Sequence, residues 1–141
     1  MKAYIVSGLI WLLLVSCGKE DCFTAPEPVV FEFVDGAGNN LITTGALNPQ
    51  NFDFRKVTGE FEDVKIDYSL GDDDRITINS FTDDPGVTNY RFYSIIQSFS
   101  FSVKAEENAS CEGNNIVDVL LIHDDYTEQN MRLFRVTLAR Q

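Results

Sequence analysis

Apolar positions along this chain follow two regimes. From Ala3 to Val15 nearly every residue is apolar, with only Ser7 and Gly8 interrupting, behind a single basic residue at Lys2. A run of about a dozen matches the ~7–15 residues of an export signal and falls short of the ~20 needed to span a bilayer. It also lacks the polar stripe of an amphipathic core helix, so residues 1–16 are expected to be a signal helix. After Pro26 and Pro28 the pattern changes to alternation, the period of half-buried strands.

Val29 to Asp35 opens this second regime as a β-branched and aromatic strand, and Gly36 to Asn40 is expected to turn it into Leu41–Thr44. Gly36 and Gly38 begin a G-x-G pattern, but Leu41 stands where a dinucleotide fingerprint needs its third glycine and no helix follows. Phe52–Val57 reads as a short strand with Phe52 and Phe54 on one face. Val64–Leu70 alternates with Val64, Ile66, Tyr68 and Leu70 inward, and Gly71–Asp74 turns it into a hairpin with Arg75–Asn79. Phe81 is out of phase with Ile78, which points to a bulge or a strand end. Thr82–Asn89 reads as loop, Tyr90–Gln97 as strand, and Ser98–Lys104 as strict alternation with a serine face towards solvent. Ile116–Ile122 is apolar on both faces and is expected to be a central strand. Met131–Leu138 closes the chain with Phe134, Val136 and Leu138 inward. Seven to eight short strands with turns between them and no helical period predict an all-β fold. The expected architecture is an antiparallel two-sheet sandwich, immunoglobulin-like or transthyretin-like, with a closed barrel as the alternative.

The apolar run ends at Leu14-Val15-Ser16-Cys17, which resembles the lipobox of bacterial lipoproteins. That resemblance implies cleavage before Cys17, a thioether-linked diacylglycerol on its thiol and usually an N-acyl chain, with palmitate among the fatty acids. Two or three acyl chains anchor stably where one is marginal. The following Gly18-Lys19-Glu20-Asp21 resembles the Lys-acidic export tag of surface lipoproteins of Bacteroidota, which implies an outer-membrane, cell-surface address, with the periplasmic face as the alternative. Cys22, Pro26, Pro28, Phe31–Asp35 and Gly38-Asn39-Asn40-Leu41 together resemble the start of small uncharacterised lipoproteins of that group. The likeness covers the first third of the chain and brings no activity with it. The expected organisation is a signal peptide at 1–16, a lipidated tether at 17–28 and a β-sandwich domain at 29–141.

With Cys17 assigned to lipid, Cys22 and Cys111 remain, and in an oxidising compartment a disulfide between them is the default expectation. Removal of residues 1–16 leaves 125 of the 141 residues, enough for one domain and too few for two. The net charge of −11, or −12 without Lys2, argues against nucleic acid and anionic lipid as direct partners.

The chemistry on offer is sparse. Nucleophilic catalysis wants a histidine base, and His123 is the single histidine, placed before Asp124-Asp125 with no G-x-S-x-G in the chain. No His-Glu-x-x-His is present for zinc, and Cys17 with Cys22 lacks a second ligand pair. Asp72, Asp74, Asp124 and Asp125 are candidate oxygen ligands for Ca²⁺, with Asp83-Asp84 beside them, although no EF-hand loop surrounds any of them. Solvated turns that protect sheet edges account for the same acids. No catalytic role and no cofactor are expected. The function expected is a lipid-anchored, non-catalytic binding domain with a protein or glycan partner. A small carboxylate-dependent hydrolase of glycosidase type, or a purely structural envelope lipoprotein, is the alternative. Exposed aromatics lining a groove favour glycan; a flat apolar edge favours protein. A hydrolase asks for two acids converging with raised pKa.

Overall fold

Phenylalanine parity builds this molecule. The computed structural model describes residues 22–130 and 132–139, so the expected signal segment and Cys17 lie outside the described residues. Ten strands form two five-stranded sheets packed face to face, a β-sandwich without an α-helix among the described residues. In chain order they are β1 (Val29–Val34), β2 (Phe52–Val57), β3 (Asp63–Ile66), β4 (Ser69–Leu70), β5 (Ile76–Ile78), β6 (Gly86–Ser94), β7 (Phe99–Glu107), β8 (Asn114–Ile122), β9 (Tyr126–Glu128) and β10 (Leu133–Thr137). One sheet runs β4-β5-β1-β10-β9 and the other β3-β2-β6-β7-β8. All pairings are antiparallel except β1 with β10, which run parallel with Phe31 beside Phe134.

Alternation turns one face of each sheet into the core. β1 contributes Phe31 and Phe33, β2 Phe52 and Phe54, β6 Tyr90 and Phe92, β7 Phe99 and Phe101, and β10 Phe134, all buried. Phe33 and Phe92 stack across the two sheets at 4.4 Å between centroids, and Phe31 lies 5.3 Å from Phe54 and 5.5 Å from Phe101. Phe81, out of phase in the sequence, is buried by the 3-10 turn Ser80–Thr82 and meets Tyr90 edge-on at 4.6 Å. Burial pushes the Tyr90 phenol up to about 12.

Four local expectations are corrected. Leu41–Thr44 is a turn, because the Asn40 side-chain oxygen accepts the N–H groups of Ile42 and Thr43 and takes them from any ladder. The expected strand Val64–Leu70 divides: β3 pairs with β2 in one sheet, β4 pairs with β5 in the other, and the chain crosses between sheets at Asp67 and Tyr68. The tight hairpin to β5 survives, but Val64 and Leu70 are exposed and only Ile66 and Tyr68 pack on the core. β6 begins at Gly86, inside the expected loop. The fourth correction is β8, expected at the centre and found at an edge.

The segment before β1 is fixed covalently and by backbone. Cys22 is bonded to Cys111 in the β7–β8 loop, as expected for that pair. The Thr24 N–H donates to the Glu112 carbonyl at 2.7 Å and the Glu112 N–H to the Cys22 carbonyl at 3.1 Å. Gly113 permits this approach: its φ is +115°, and a Cβ there would stand 3.1 Å from Thr24.

Candidate interaction surface

A sheet of five strands has two edges, so this sandwich has four, and they differ. β4 is two residues, β9 three, and β3 four with Asp63 and Lys65 on it. β8 is nine residues long, pairs among the described strands only with β7, and carries one charge, Asp118. Its inward side chains Ile116 and Leu121 are buried and Val119 packs against them. On the outer side Val117, Leu120 and Ile122 are 52%, 55% and 68% exposed. The two apolar faces read from the sequence are therefore real, but only one meets the core. Leu120 stands opposite Ser102 and Ile122 opposite Ser100, so the serine face of β7 leaves both aliphatic side chains raised above a low polar floor. Val117 is the extra residue of a bulge between the pairs Ala105–Ile116 and Lys104–Asp118. Sequence reasoning missed this surface; Asp118 was the available signal, since a strand covered on both faces has no place for a lone exposed carboxylate.

Charge and aromatic groups gather elsewhere, on the outer face of the same sheet. Arg55 binds Asp53 at 3.1 Å and Asp63 at 2.9 Å and lies over the Tyr93 ring, 5.5 Å from its centroid, beside a concavity of ≈ 530 Å³. The Tyr93 hydroxyl donates to Asp63 at 3.2 Å, and Arg91 reaches that hydroxyl at 3.4 Å. Tyr93 thus already has a cation over its ring. The Arg55 hydrogen bond, backed by the Tyr93 hydroxyl and opposed by partial desolvation, holds the Asp63 carboxyl below the usual carboxylate range. A general acid needs a shift in the opposite direction.

Asp35 is lowered as well, first by the Asn39 side chain and then by backbone N–H groups of the β1 turn. With both folded values depressed, the folded state binds fewer protons than the unfolded chain in the acid range. Their contribution is complete above the unfolded value of ~3.9 and is lost as pH falls through the folded values. Melting temperature is expected to fall as pH drops below about 4 and through the folded values, and Asp63→Asn to flatten part of that fall in thermal melts. An unchanged slope in the variant would remove Asp63 from the account.

The candidate calcium ligands do not converge. Asp72 and Asp74 lie on the β4–β5 turn and Asp124 and Asp125 on the β8–β9 corner, at the end of the sandwich opposite the disulfide. Strands β1 and β10 separate β5 from β9, roughly 14 Å at strand spacing. Asp74 is engaged locally, accepting from the Thr43 hydroxyl at 2.6 Å. Among the described residues no group of three or more His, Cys, Asp or Glu is placed to hold a metal. His123 accepts the Asp125 N–H at Nδ1 and sets its ring edge-on to Phe99 at 5.2 Å, a corner contact between β8 and β9. Asp83 and Asp84 sit at the disulfide end, where Asp84 binds Lys56 at 2.6 Å and Asp83 borders a concavity of ≈ 770 Å³ with Phe23, Pro26 and Glu112. Neither a protein-family model, nor a curated protein, nor a solved structure matches this chain.

Proposed function

We propose that this chain is an outer-membrane lipoprotein, exposed at the cell surface through fatty chains on Cys17, whose sandwich is a non-catalytic domain that binds a protein partner along β8. The observation that carries the binding half is the contrast among the four edges: three are two to four residues long, and the fourth is nine residues long with Val117, Leu120 and Ile122 exposed around a bulge and a single carboxylate. A long edge strand with exposed aliphatic side chains invites pairing, and a domain that retains one has a use for it. The glycan reading loses support from Tyr93, whose ring lies beneath Arg55. The anchor half rests on the lipobox likeness, and on a tether that the disulfide clips to the sandwich five residues after Cys17.

Both halves are testable in the native host. Labelled palmitate is expected to enter the wild-type chain and not Cys17→Ser, which should leave the membrane fraction. A photoreactive residue at Leu120 is expected to cross-link a partner on intact cells, while the same residue at Thr127 on β9 does not. Label retained by Cys17→Ser overturns the anchor; equal cross-linking at both positions overturns the surface.

A further inference from the structure

We propose that the partner adds to β8 as one extended strand, with apolar side chains over Leu120 and Ile122 and a lysine or arginine facing Asp118. The inference rests on β8 being the protein-binding edge and specifies the chemistry of what it takes.

The chain already uses this mode for one residue in the loop just before β8. Phe23 forms a parallel bridge with Glu112, and the Thr24 and Glu112 backbone bonds are those of an added strand. That addition stops where Glu27 turns in: its carboxylate accepts the Ile116 N–H at 2.8 Å and is held by Arg132 at 2.7 Å. From Val117 to Ile122 no described strand lies beyond β8. A second strand can therefore continue the line the tether begins.

Charge decides what that strand carries. Asp118 faces outward, in line with Leu120; the cation opposite it, Lys104, is bound by Glu106 at 2.7 Å and attracts Asp118 only through space, so the carboxylate keeps room for a second cation on its free side. Asp124 and Asp125 follow the end of the strand. A second copy of this chain would bring another Asp118 and a net charge of −11 against −11. A cross-strand cation instead meets an exposed carboxylate, and opposite charges at facing positions stabilise a pair while like charges oppose it. Residues two apart share a face, so the partner pattern is a basic residue followed at every second position by an apolar one. Backbone hydrogen bonds supply affinity in such additions and the alternate side chains supply selectivity.

The test uses the full-length chain in detergent and two fluorescent peptides, Lys-Thr-Val-Thr-Val-Thr-Lys and its counterpart with Glu at both ends. The Lys peptide is expected to bind and to slow amide exchange between Val117 and Ile122, with the Glu peptide weaker by about tenfold or more. Asp118→Lys should reverse that preference. Leu120→Asp, at a position already half in solvent, should lose binding of both while keeping the melting temperature. Methylating alternate peptide nitrogens should abolish binding in one of the two possible patterns and spare it in the other, since a strand offers one edge at a time. Indifference of Asp118→Lys to peptide charge, protection away from β8, or a dimer in sedimentation that Leu120→Asp dissolves would each overturn the proposal. If neither peptide binds at millimolar concentration while the Leu120 cross-link persists on cells, strand addition is wrong and the surface stands. If the cross-link is lost too, both fail.

Discussion

Phe31→Ala lowers the free energy of unfolding by about 3–5 kcal/mol, the range for deleting a fully buried phenylalanine. The upper part of that range is expected. Phe31 is 0% exposed and lies on β1, with a strand on each side, so the site cannot collapse from an edge. Its ring touches four others, Phe33, Phe54, Phe101 and Phe134, at centroid distances of 5.3–6.0 Å, and two of those belong to the opposite sheet. The methyl group of alanine reaches none of them, and the void is lined by rings that lose dispersion partners at once. Against a total of roughly 5–15 kcal/mol this brings the domain to the margin of folding. Phe61→Ala supplies the control: at 91% exposure on the β2–β3 turn its loss should stay within about 0.5 kcal/mol. Urea melts of the three proteins check the pair. A Phe31→Ala cost near that of Phe61→Ala would mean that the sheets are not packed through β1.

Removal of the Cys22–Cys111 bridge is the second large effect. The cysteines are 89 positions apart, and the chain-entropy relation for a loop of that length gives about 4–5 kcal/mol of stabilisation through the unfolded state. The same cut acts locally, because the bonds between Cys22, Thr24 and Glu112 are then held only by the surrounding backbone. Cys22→Ser/Cys111→Ser should unfold at lower urea with a larger m-value, since its unfolded chain is less compact. Reduction of the wild type should reproduce the shift. A loss below about 1 kcal/mol would contradict the entropic account and leave the bridge as a clip on the segment before β1 alone.

The parts of the fold that could be read from sequence are those in which one strand face is apolar and the other polar. β2, β7 and β10 carry that pattern, and their inward residues Phe54, Phe101 and Val136 are where alternation puts them. Reading failed where a side chain competes with the ladder, as Asn40 does at Ile42 and Thr43, and where a strand is too short to show a period, as in β4 and β9. β8 failed for another reason. An apolar run on both faces states what a strand would bury, and only the neighbouring strands decide whether it is buried. The same ambiguity hid the candidate surface, whose residues Val117, Leu120 and Ile122 look like core until the sheet order is known. The disulfide was legible only after Cys17 had been assigned to lipid, whereas the scatter of the acidic turns over opposite sides of one sheet depends on topology that no local pattern carries.

The parallel pairing of β1 with β10 joins segments about a hundred residues apart, so the first strand made is completed by the last. Contacts of such long sequence separation make folding slow, because the intervening loop must close before the pairing repays it. The sheet that holds β1 therefore stays incomplete until β10 joins it, whereas β3-β2-β6-β7-β8 needs neither strand. Timing is thereby written into the topology: one layer of the core can be laid down before the other is whole.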